Sequence, residues 1–534
     1  MATFTLNGRQ VEAPDGMNLI EAAKLHGVEI PHYCYHPGLS VAGNCRMCLC
    51  EVEGARGPQI ACSQAVRDGL VVKTDTPAVE KMRKGVQEFL LLNHPIDCPI
   101  CDQAGECRLQ DYYMEFGRYD NRSEVSKVQK EKAVDIGPMV VLDQERCILC
   151  TRCVRFCNEV SRSDELIVSG RGDTSVIETF PGMRLDNPYS GNVVDVCPVG
   201  ALTSKDFRFK QRVWFMKSVK SICTGCSRGC NVYLDFKDEL VYRYRPRHNA
   251  HVNGWWMSDA GRLSYKALNE GRLTHVSCRG QQAPFMEALK EVAGLFMGTR
   301  AAGAFAAVGS PHSSLEANQA LKSFAERFMG GARLLGWEGS APGPEDDFLL
   351  RADQAPNRAA LGYLGFDTSR DALLETLRGG ALQLMVVVNN DLAADPEVRE
   401  ALGRVPVLVY LGTHDNATAG LATYTFPVAA HAEQYGSFIN FQGRLQRFFK
   451  AFEAPGDAVG EWELLGRIGR ELDPAYGWSD VEEVWSDLRT AHPELGDLSW
   501  FGLGDEGFQL PSLGEVQLAP LGVGRTLSPA GASA

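Results

Sequence analysis

After Cys278 this 534-residue chain contains no cysteine, although 17 cysteines occur in all and 16 of them lie before position 231. That absence excludes a disulfide framework spread through the fold, and it denies most of the second half of the chain a thiolate ligand. An odd total also fits a closed set of disulfides poorly. Long hydrophobic runs are missing as well: the longest, such as "LMVVV" (384–388) and "VPVLVYLG" (405–412), are far too short to span a bilayer. The start, "MATFTLNGRQ", has neither a charged n-region nor an apolar h-region, so no secretory signal is expected. Basic excess is lacking too. With 54 Lys and Arg against 67 Asp and Glu, the net charge of −13 argues against nucleic acid as a main partner. No glycine fingerprint stands after a strand and before a helix, so neither NADH nor FMN is assigned to this chain.

What is present is the composition of a soluble globular protein, 44% hydrophobic and 23% charged, long enough for several domains. It reads as cytoplasmic, and in a reducing compartment so many thiols point to metal ligation. The opening "TFTLNGRQVEA" predicts two strands around an Asn-Gly turn. Asn18 can cap a helix over Leu19 to His26, which Gly27 can end. A Gly-punctuated cysteine loop and strand-like "VVKTDT" complete a β-grasp-like unit. Thr76-Pro77 starts a helix through "VEKMRKGVQEFLLLN", whose "FLLL" reads as a core face. Residues 121–135 read as a polar surface linker. Beyond about residue 272, apolar runs alternate with helical patterns and suggest a doubly wound α/β layer. The Gly-, Pro- and Leu-rich tail from about 503 reads as extended.

Four sets of ligands follow one another. Cys34, Cys45, Cys48 and Cys62 stand at C-x10-C-x2-C-x13-C in a Gly-rich loop, similar to plant-type [2Fe–2S] ferredoxins although with a longer first gap; a zinc knuckle is the weaker alternative. Cys50 alternates from Cys48 and reads as a packing thiol. His94, Cys98, Cys101 and Cys107, within "HPIDCPICDQAGEC", would alone suit structural zinc equally. Their place in a row of iron–sulfur sites decides for a [4Fe–4S] cluster with one imidazole ligand, because zinc carries no electrons. "CILCTRC" with the distant "CPVGA" supplies Cys147, Cys150, Cys153 and Cys197 for a second [4Fe–4S] cluster, and Cys157 is spare. "CTGCSRGC" supplies Cys223, Cys226 and Cys230 but no fourth thiolate, so it reads equally as a cluster site and as a vestige.

These motifs in this order resemble the large iron–sulfur subunit of the peripheral arm of respiratory complex I, NADH:quinone oxidoreductase. The resemblance is dense over residues 1–271 and diffuse beyond. It implies α+β iron–sulfur modules followed by an α/β molybdopterin-oxidoreductase-like domain. The modules are a [2Fe–2S] β-grasp domain over 1–80, a helical [4Fe–4S] module with one histidine and three cysteine ligands over 81–120, and a ferredoxin-like [4Fe–4S] module over 121–217. A molybdopterin-oxidoreductase-type [4Fe–4S] domain over 218–272 and the α/β domain over 273–534 complete it. Where some family members have Trp-x-Cys-Asp-x-Gly-Arg, this chain reads "WMSDAGR". Ser258 therefore occupies the fourth-ligand position, and the fourth site is left open between no cluster, a three-iron cluster, and a cluster completed by Ser258, His248 or His251. "FPVAAHAEQYGSFINFQGRLQRF" (426–448) resembles the molybdopterin-oxidoreductase fold, with no molybdenum expected.

The function implied is electron transfer from NADH, through a flavin held by a partner, toward quinone, with no bond-making catalysis by this chain. Implied partners are the NADH/FMN-binding subunit and the subunits near the quinone site, with the chain peripheral on the cytoplasmic side of the inner membrane. The alternatives are a subunit of an NAD-linked formate dehydrogenase or an iron-only hydrogenase, and a zinc-stapled scaffold. The basic stretch "KDFRFKQRVWFMKSVK" (205–220) reads as a solvated surface, with a docking face near the clusters as the sharper option.

Overall fold

The computed structural model describes residues 1–120, 122–298 and 303–514. The chain divides into a unit of Met1–Met216 and a second unit beginning at Lys217; the tail beyond 514 lies outside the described residues.

In the first unit, Asn7 and Gly8 adopt φ of 50° and 79°, as a two-residue hairpin turn requires. They join β1 (Ala2–Leu6) to β2 (Arg9–Ala13). The Asn18 side chain accepts the Ile20 N–H to start α1 (Leu19–Leu25), and Gly27 at φ 74° follows its end. Strands β3 (Leu49–Val52), β4 (Gln59–Ile60) and β5 (Val71–Lys73) complete a five-stranded sheet of order β2-β1-β5-β3-β4, in which β5 runs parallel to β1. Phe4, Leu6, Leu19, Ile20, Ala23 and Val72 form its core with Cys48, Cys50 and Cys62.

Thr76 caps α2 (Pro77–Asn93) by accepting the Val79 N–H. The "FLLL" expectation holds for half of the run: Leu90 and Leu91 pack with Val86 against a buried cluster, and the other two residues do not. Phe89 is 76% exposed and Leu92 37%, whereas the buried residues of α2 are Val79, Arg83 and Gln87. Those three recur every fourth residue and make one stripe; Phe89, two residues past Gln87, falls on the far side. Helix α3 (Arg108–Phe116) packs on α2, with Arg83 lying 5.0 Å from the Phe116 ring centroid. The polar linker is tied down: Lys127 Nζ donates to the Leu91 and Leu92 carbonyls at 2.6 and 3.1 Å, capping the end of α2 beside His94. Next come β6 (Val134–Asp135), β7 (Val140–Leu142), α4 (Arg152–Arg155) with a π turn over Phe156–Ser161, β8 (Leu166–Ser169), β9 (Val176–Thr179), α5 (Asn192–Val196) and β10 (Leu202–Ser204). Strands β10, β7 and β6 pair antiparallel.

The second unit opens with an antiparallel sheet of β11 (Lys217–Ile222), β12 (Asn231–Lys237) and β13 (Leu240–Pro246), then the short α6 (Asp259–Leu263) and α7 (Lys266–Asn269). A larger sheet places β16 (Phe305–Val308), β17 (Arg333–Leu335), β18 (Leu384–Val388), β19 (Val407–Gly412) and β20 (Tyr424–Pro427) in parallel, in the order β17-β16-β18-β19-β20. The short β14 (Ser277–Cys278) pairs antiparallel with β20 and with β15 (Gln281–Gln282). Alternation along "LMVVV" shows the double winding. Leu384, Val386 and Val388 join a core with α8 (Phe285–Gly298) and α9 (Leu315–Phe328), and Met385 and Val387 join the core on the other face. Among the described residues, no helix is long and apolar enough to cross a membrane.

Candidate metal centres

The first set sits in the loop between α1 and β3 and at the turn after β4. Its four thiols form a chain of contacts, with Cys34 beside both Cys45 and Cys62, and Cys62 beside Cys48. Contact with Cys45 and Cys62 holds the Cys34 thiol well below its ordinary range, while contact with Cys34 pushes Cys45 and Cys62 up. Backbone N–H groups of Asn44 and Cys45 point at the Cys34 sulfur, and that of Met47 at Cys45. Such donors stabilise anionic sulfur. Cys50 is fully buried, donates toward the Gln59 carbonyl at 3.6 Å, and is a packing thiol.

The second set closes on α2. His94 is the residue at which α2 ends, and Pro95 prevents its continuation. His94, Cys98, Cys101 and Cys107 line one cavity of about 480 Å³. Burial pushes the His94 pKa down to about 4, which leaves a neutral imidazole, and its buried Nδ1 has no hydrogen-bond partner. Burial raises Cys107 to about 11. Gly200 belongs to this site as well, because a Cβ there would lie 2.3 Å from the Cys101 Sγ. The orphaned nitrogen and the space kept free of a Cβ fit a bound group at this site.

The third set lines one small apolar hollow with Leu142, Ile148, Ile177 and Leu202. Cys147, Cys150, Cys153 and Cys197 all face it, and Cys157 does not line it. Burial pushes Cys147 and Cys197 up to about 12. Leu149 and Thr151, between the cysteines, hold φ of 54° and 62°, conformations that non-glycine residues rarely adopt. Successive N–H groups in such a loop turn toward one point; the Leu149 N–H reaches the Cys147 Sγ at 3.4 Å. The Cys157 thiol instead has Ser163 and Ser161 as neighbours.

The fourth set, in the second unit, is different. Cys223 and Cys230 are packed into an apolar cluster with Val232, Leu234, Tyr244 and Met257. Ser258 is brought near: its Oγ would lie 3.1 Å, and the Cys223 Sγ 2.9 Å, from a Cβ at Gly261. Yet that Oγ accepts the Gly261 N–H at 3.1 Å as the cap of α6. The two histidines have other neighbours. His251 Nε2 stands 3.5 Å from Glu506, and His248 stacks on Trp255.

None of the sets is drawn in to the spacing of a lone ion: among the described residues, no group of three or more His, Cys, Asp or Glu could hold a single metal ion. The first three sets instead meet in one buried cluster. It contains Cys34, Cys107 and Cys150, one from each set, with Tyr33, Met47, Leu109 and Val199, and Cys45, Cys147 and Cys197 pack against it. The third set is hydrogen-bonded to both of the others. Its loop hydrogen-bonds that of the first through Asn44, Arg152 and Arg155. Toward the second, Pro198 O accepts the Arg108 N–H at 3.0 Å, and Arg146 forks onto Asp97 at 3.1 and 2.5 Å.

Sequence reasoning missed these arginines, which are scattered single residues far from the groups they bind. It also missed Arg212. That residue of the basic stretch is not merely solvated, since it donates to the Cys101 and Pro99 carbonyls at 2.6 Å each.

Five family models match in chain order. They are a 2Fe-2S iron-sulfur cluster binding domain (1–77), the NADH-ubiquinone oxidoreductase-G iron-sulfur binding region (83–122), the NADH-quinone oxidoreductase subunit 3 ferredoxin-like domain (137–203), a molybdopterin oxidoreductase Fe4S4 domain (216–263) and molybdopterin oxidoreductase (364–471). The NADH-ubiquinone oxidoreductase 78 kDa subunit of Neurospora crassa is 42% identical, over 98% of this chain and 87% of that one. The chain belongs to the family of large iron–sulfur subunits of NADH:quinone oxidoreductase. An NADH-quinone oxidoreductase subunit of Rickettsia conorii is 40% identical over 61% of this chain and 49% of that one. For iron-sulfur protein 1 of the Solanum tuberosum NADH dehydrogenase, the figures are 45%, 52% and 38%. The chain thus spans about half, or less, of the length of these two family members. A solved chain of an NAD+-reducing [NiFe]-hydrogenase in the H2-reduced state is 30% identical over 40% of this chain and 91% of that one, with a TM-score of 0.36. For this family member, a [2Fe–2S] domain, [4Fe–4S] domains and a molybdopterin-oxidoreductase domain therefore follow one another, with mixed α/β content.

Proposed function

We propose that this chain is an electron-transfer subunit of NADH:quinone oxidoreductase, relaying electrons from the NADH- and FMN-binding partner toward the partners nearest quinone. The observation that carries this is the single buried cluster containing a ligand from each of three sets. Cys34, Cys45, Cys48 and Cys62 would hold a [2Fe–2S] cluster on a β-grasp domain. His94, Cys98, Cys101 and Cys107 would hold a [4Fe–4S] cluster, and Cys147, Cys150, Cys153 and Cys197 another on a ferredoxin-like module. Such clusters supply one-electron redox chemistry. The chain's own work is to fix their separations, exclude water with the apolar residues between the sets, and aim backbone N–H groups at the sulfurs.

The set that includes His94 belongs on the path in this reading, because its Cys107 shares the buried cluster with the others. Partner contact is supported by the apolar rim of its cavity, where Leu92, Ile96, Met114, Tyr119 and Val125 are all exposed; such patches mark interaction sites. We place the chain peripherally on the cytoplasmic side of the membrane, held by partner subunits. The second unit, without molybdenum, serves as scaffold.

Iron and sulfide counting with EPR on the anaerobically reduced chain tests this. About ten irons per chain would match three clusters, and about fourteen would match four. A colourless protein with zinc and little iron, lacking a [2Fe–2S] signal, would overturn the reading.

A further inference from the structure

Three side chains cross between the ligand loops of the first and third sets. Asn44, beside Cys45, donates Nδ2 to the Leu149 carbonyl at 3.2 Å. Arg152 donates Nη1 to Val196 O at 3.1 Å, one residue before Cys197, and Nη2 to Tyr35 O, one residue after Cys34. Arg155 goes further. Its Nη2 donates both to Cys34 O at 2.5 Å and to Cys150 O at 3.3 Å, and its Nη1 to Ser40 O. One guanidinium nitrogen thus bonds the peptide of a ligand on each side. Ser40 is gripped from the same helix by Glu159, which accepts its N–H at 2.9 Å and its hydroxyl. The π turn that carries Glu159 on from Arg155 is a rare element, found mostly at functional sites.

The charges make this seam unusual. Arg152 is buried, its Nε has no hydrogen-bond partner, and among the described residues neither it nor Arg155 is within ion-pair reach of a carboxylate. Interior cations are ordinarily paired, because an unpaired one costs several kcal/mol. Arg152 is in electrostatic reach of Cys150, Cys197 and Cys34, whose sulfurs carry negative charge when they ligate a cluster.

We propose that Arg155, seconded by Arg152, couples the first and third sets. It is a positioning residue that fixes the two ligand loops together, shares positive charge between their anionic clusters, and bridges the Cys34 and Cys150 peptides through one nitrogen. This rests on the iron–sulfur reading above. The transfer it serves moves one electron between the reduced cluster of one set and the oxidised cluster of the other. No bond is made or broken, and no proton moves, because the guanidinium stays charged throughout.

The test is redox-titrated EPR on the full chain carrying its clusters, with Arg155→Met, Arg155→Lys and Asn44→Ala compared with wild type. Arg155→Met should keep iron and sulfide content but lower the potentials of both sets. The expected change is at least tenfold in the reduced-to-oxidised ratio, about 59 mV for one electron. It should also weaken the magnetic interaction between the two reduced sites. Arg155→Lys should restore the potentials and not the interaction, since an ammonium keeps the charge without the fork. Asn44→Ala, which removes a crossing bond and no charge, should shift both potentials less than Arg155→Met does, and an equal shift would overturn the charge-sharing role. Unchanged potentials and interaction in Arg155→Met would overturn the proposal. If that variant loses iron, Arg155→Lys decides, and a wild-type interaction there overturns it. Wild-type protein without a [2Fe–2S] signal would sink the functional reading first. Both signals present but insensitive to Arg155 would sink this inference alone.

Discussion

Replacing Gly200 by alanine tests the contact between the second and third sets. A Cβ at this position would lie 2.3 Å from the Cys101 Sγ and 3.1 Å from the Gln103 Cβ. Ordinary contacts between non-bonded heavy atoms lie at about 3.5–4.0 Å, so the methyl and the sulfur must part by roughly 1.2 Å. Overpacking by one methyl costs about 1–3 kcal/mol. At 1.4 kcal/mol per decade, that is roughly a 5- to 150-fold loss in the equilibrium for the undistorted site.

Where the strain goes is decided by what each side can move. The Gly200 backbone is pinned: Arg108 N–H bonds Pro198 O at 3.0 Å and Asp143 N–H bonds Ala201 O at 2.7 Å. The Cys101 sulfur turns about a single side-chain torsion. It gives way first, so the damage falls on the second set while the third survives. Iron should drop from about ten to about six per chain, with the EPR signals of the first and third sets retained. Gly85→Ala is the matched control, since nothing beyond its own stretch of α2 lies within 4 Å of its Cβ position, and alanine there should stabilise the helix by about 1 kcal/mol. A Gly200→Ala protein with full iron and an unaltered spectrum would refute the reasoning, as would loss of the third set with the second intact.

Further substitutions probe individual residues. His94→Cys should leave a cluster bound and lower its potential, because a thiolate replaces a neutral ring; an unchanged potential by redox-titrated EPR would remove His94 from the ligands. Arg83→Met should lower the potential of the first set, since this buried guanidinium has no partner for its Nε or Nη2 and stands in electrostatic reach of Cys48 and Cys50. Ser258→Cys should raise iron toward about fourteen per chain, at a cost of about 1 kcal/mol for the lost cap; no gain in iron would mark the fourth set as vestigial. Burial holds His431 down to about 4, whereas an unfolded imidazole titrates near 6.5. The unfolded chain therefore binds a proton that the folded chain refuses, and stability around His431 should fall as pH drops from about 6.5 toward 4, by about 3 kcal/mol at most. Hydrogen exchange over residues 424–448 would show it, and His431→Gln should flatten the slope.

Ligand spacing and turn chemistry were legible in the sequence because both are local. Asn7-Gly8 and the Asn18 and Thr76 caps sit where short-range geometry puts them. The α2 face was legible only in part: Leu90 and Leu91 pack inward, but Phe89 and Leu92 do not. Periodicity shows that a helix has two sides, but apolar residues mark the inner one only when the inner one is apolar. Here it carries Arg83 and Gln87, the latter donating to the Tyr33 hydroxyl at 2.7 Å beside Cys34. The crossings between sets were illegible because Arg146 lies 49 residues from Asp97 and Arg155 lies 121 residues from Cys34. No spacing rule reaches that far.

The fourth set shows why three surviving cysteines do not by themselves imply iron. In the first unit each ligand loop is also a packing surface for the next, so losing one ligand would disturb two neighbours. In the second unit Cys223 and Cys230 are core members alongside Val232 and Met257, a role that a buried thiol fills as a small hydrophobe. Packing accounts for the burial of these two, whereas Cys226 is only half-buried and lies outside that core. Ser258 has likewise been absorbed into the fold, its hydroxyl committed to the Gly261 N–H at the start of α6. To ligate iron it would have to surrender that cap, whereas a thiol at 258 would bring a far better iron ligand and a far poorer cap. The Ser258→Cys iron count therefore separates a site that lacks only a ligand from one the surrounding core has already closed.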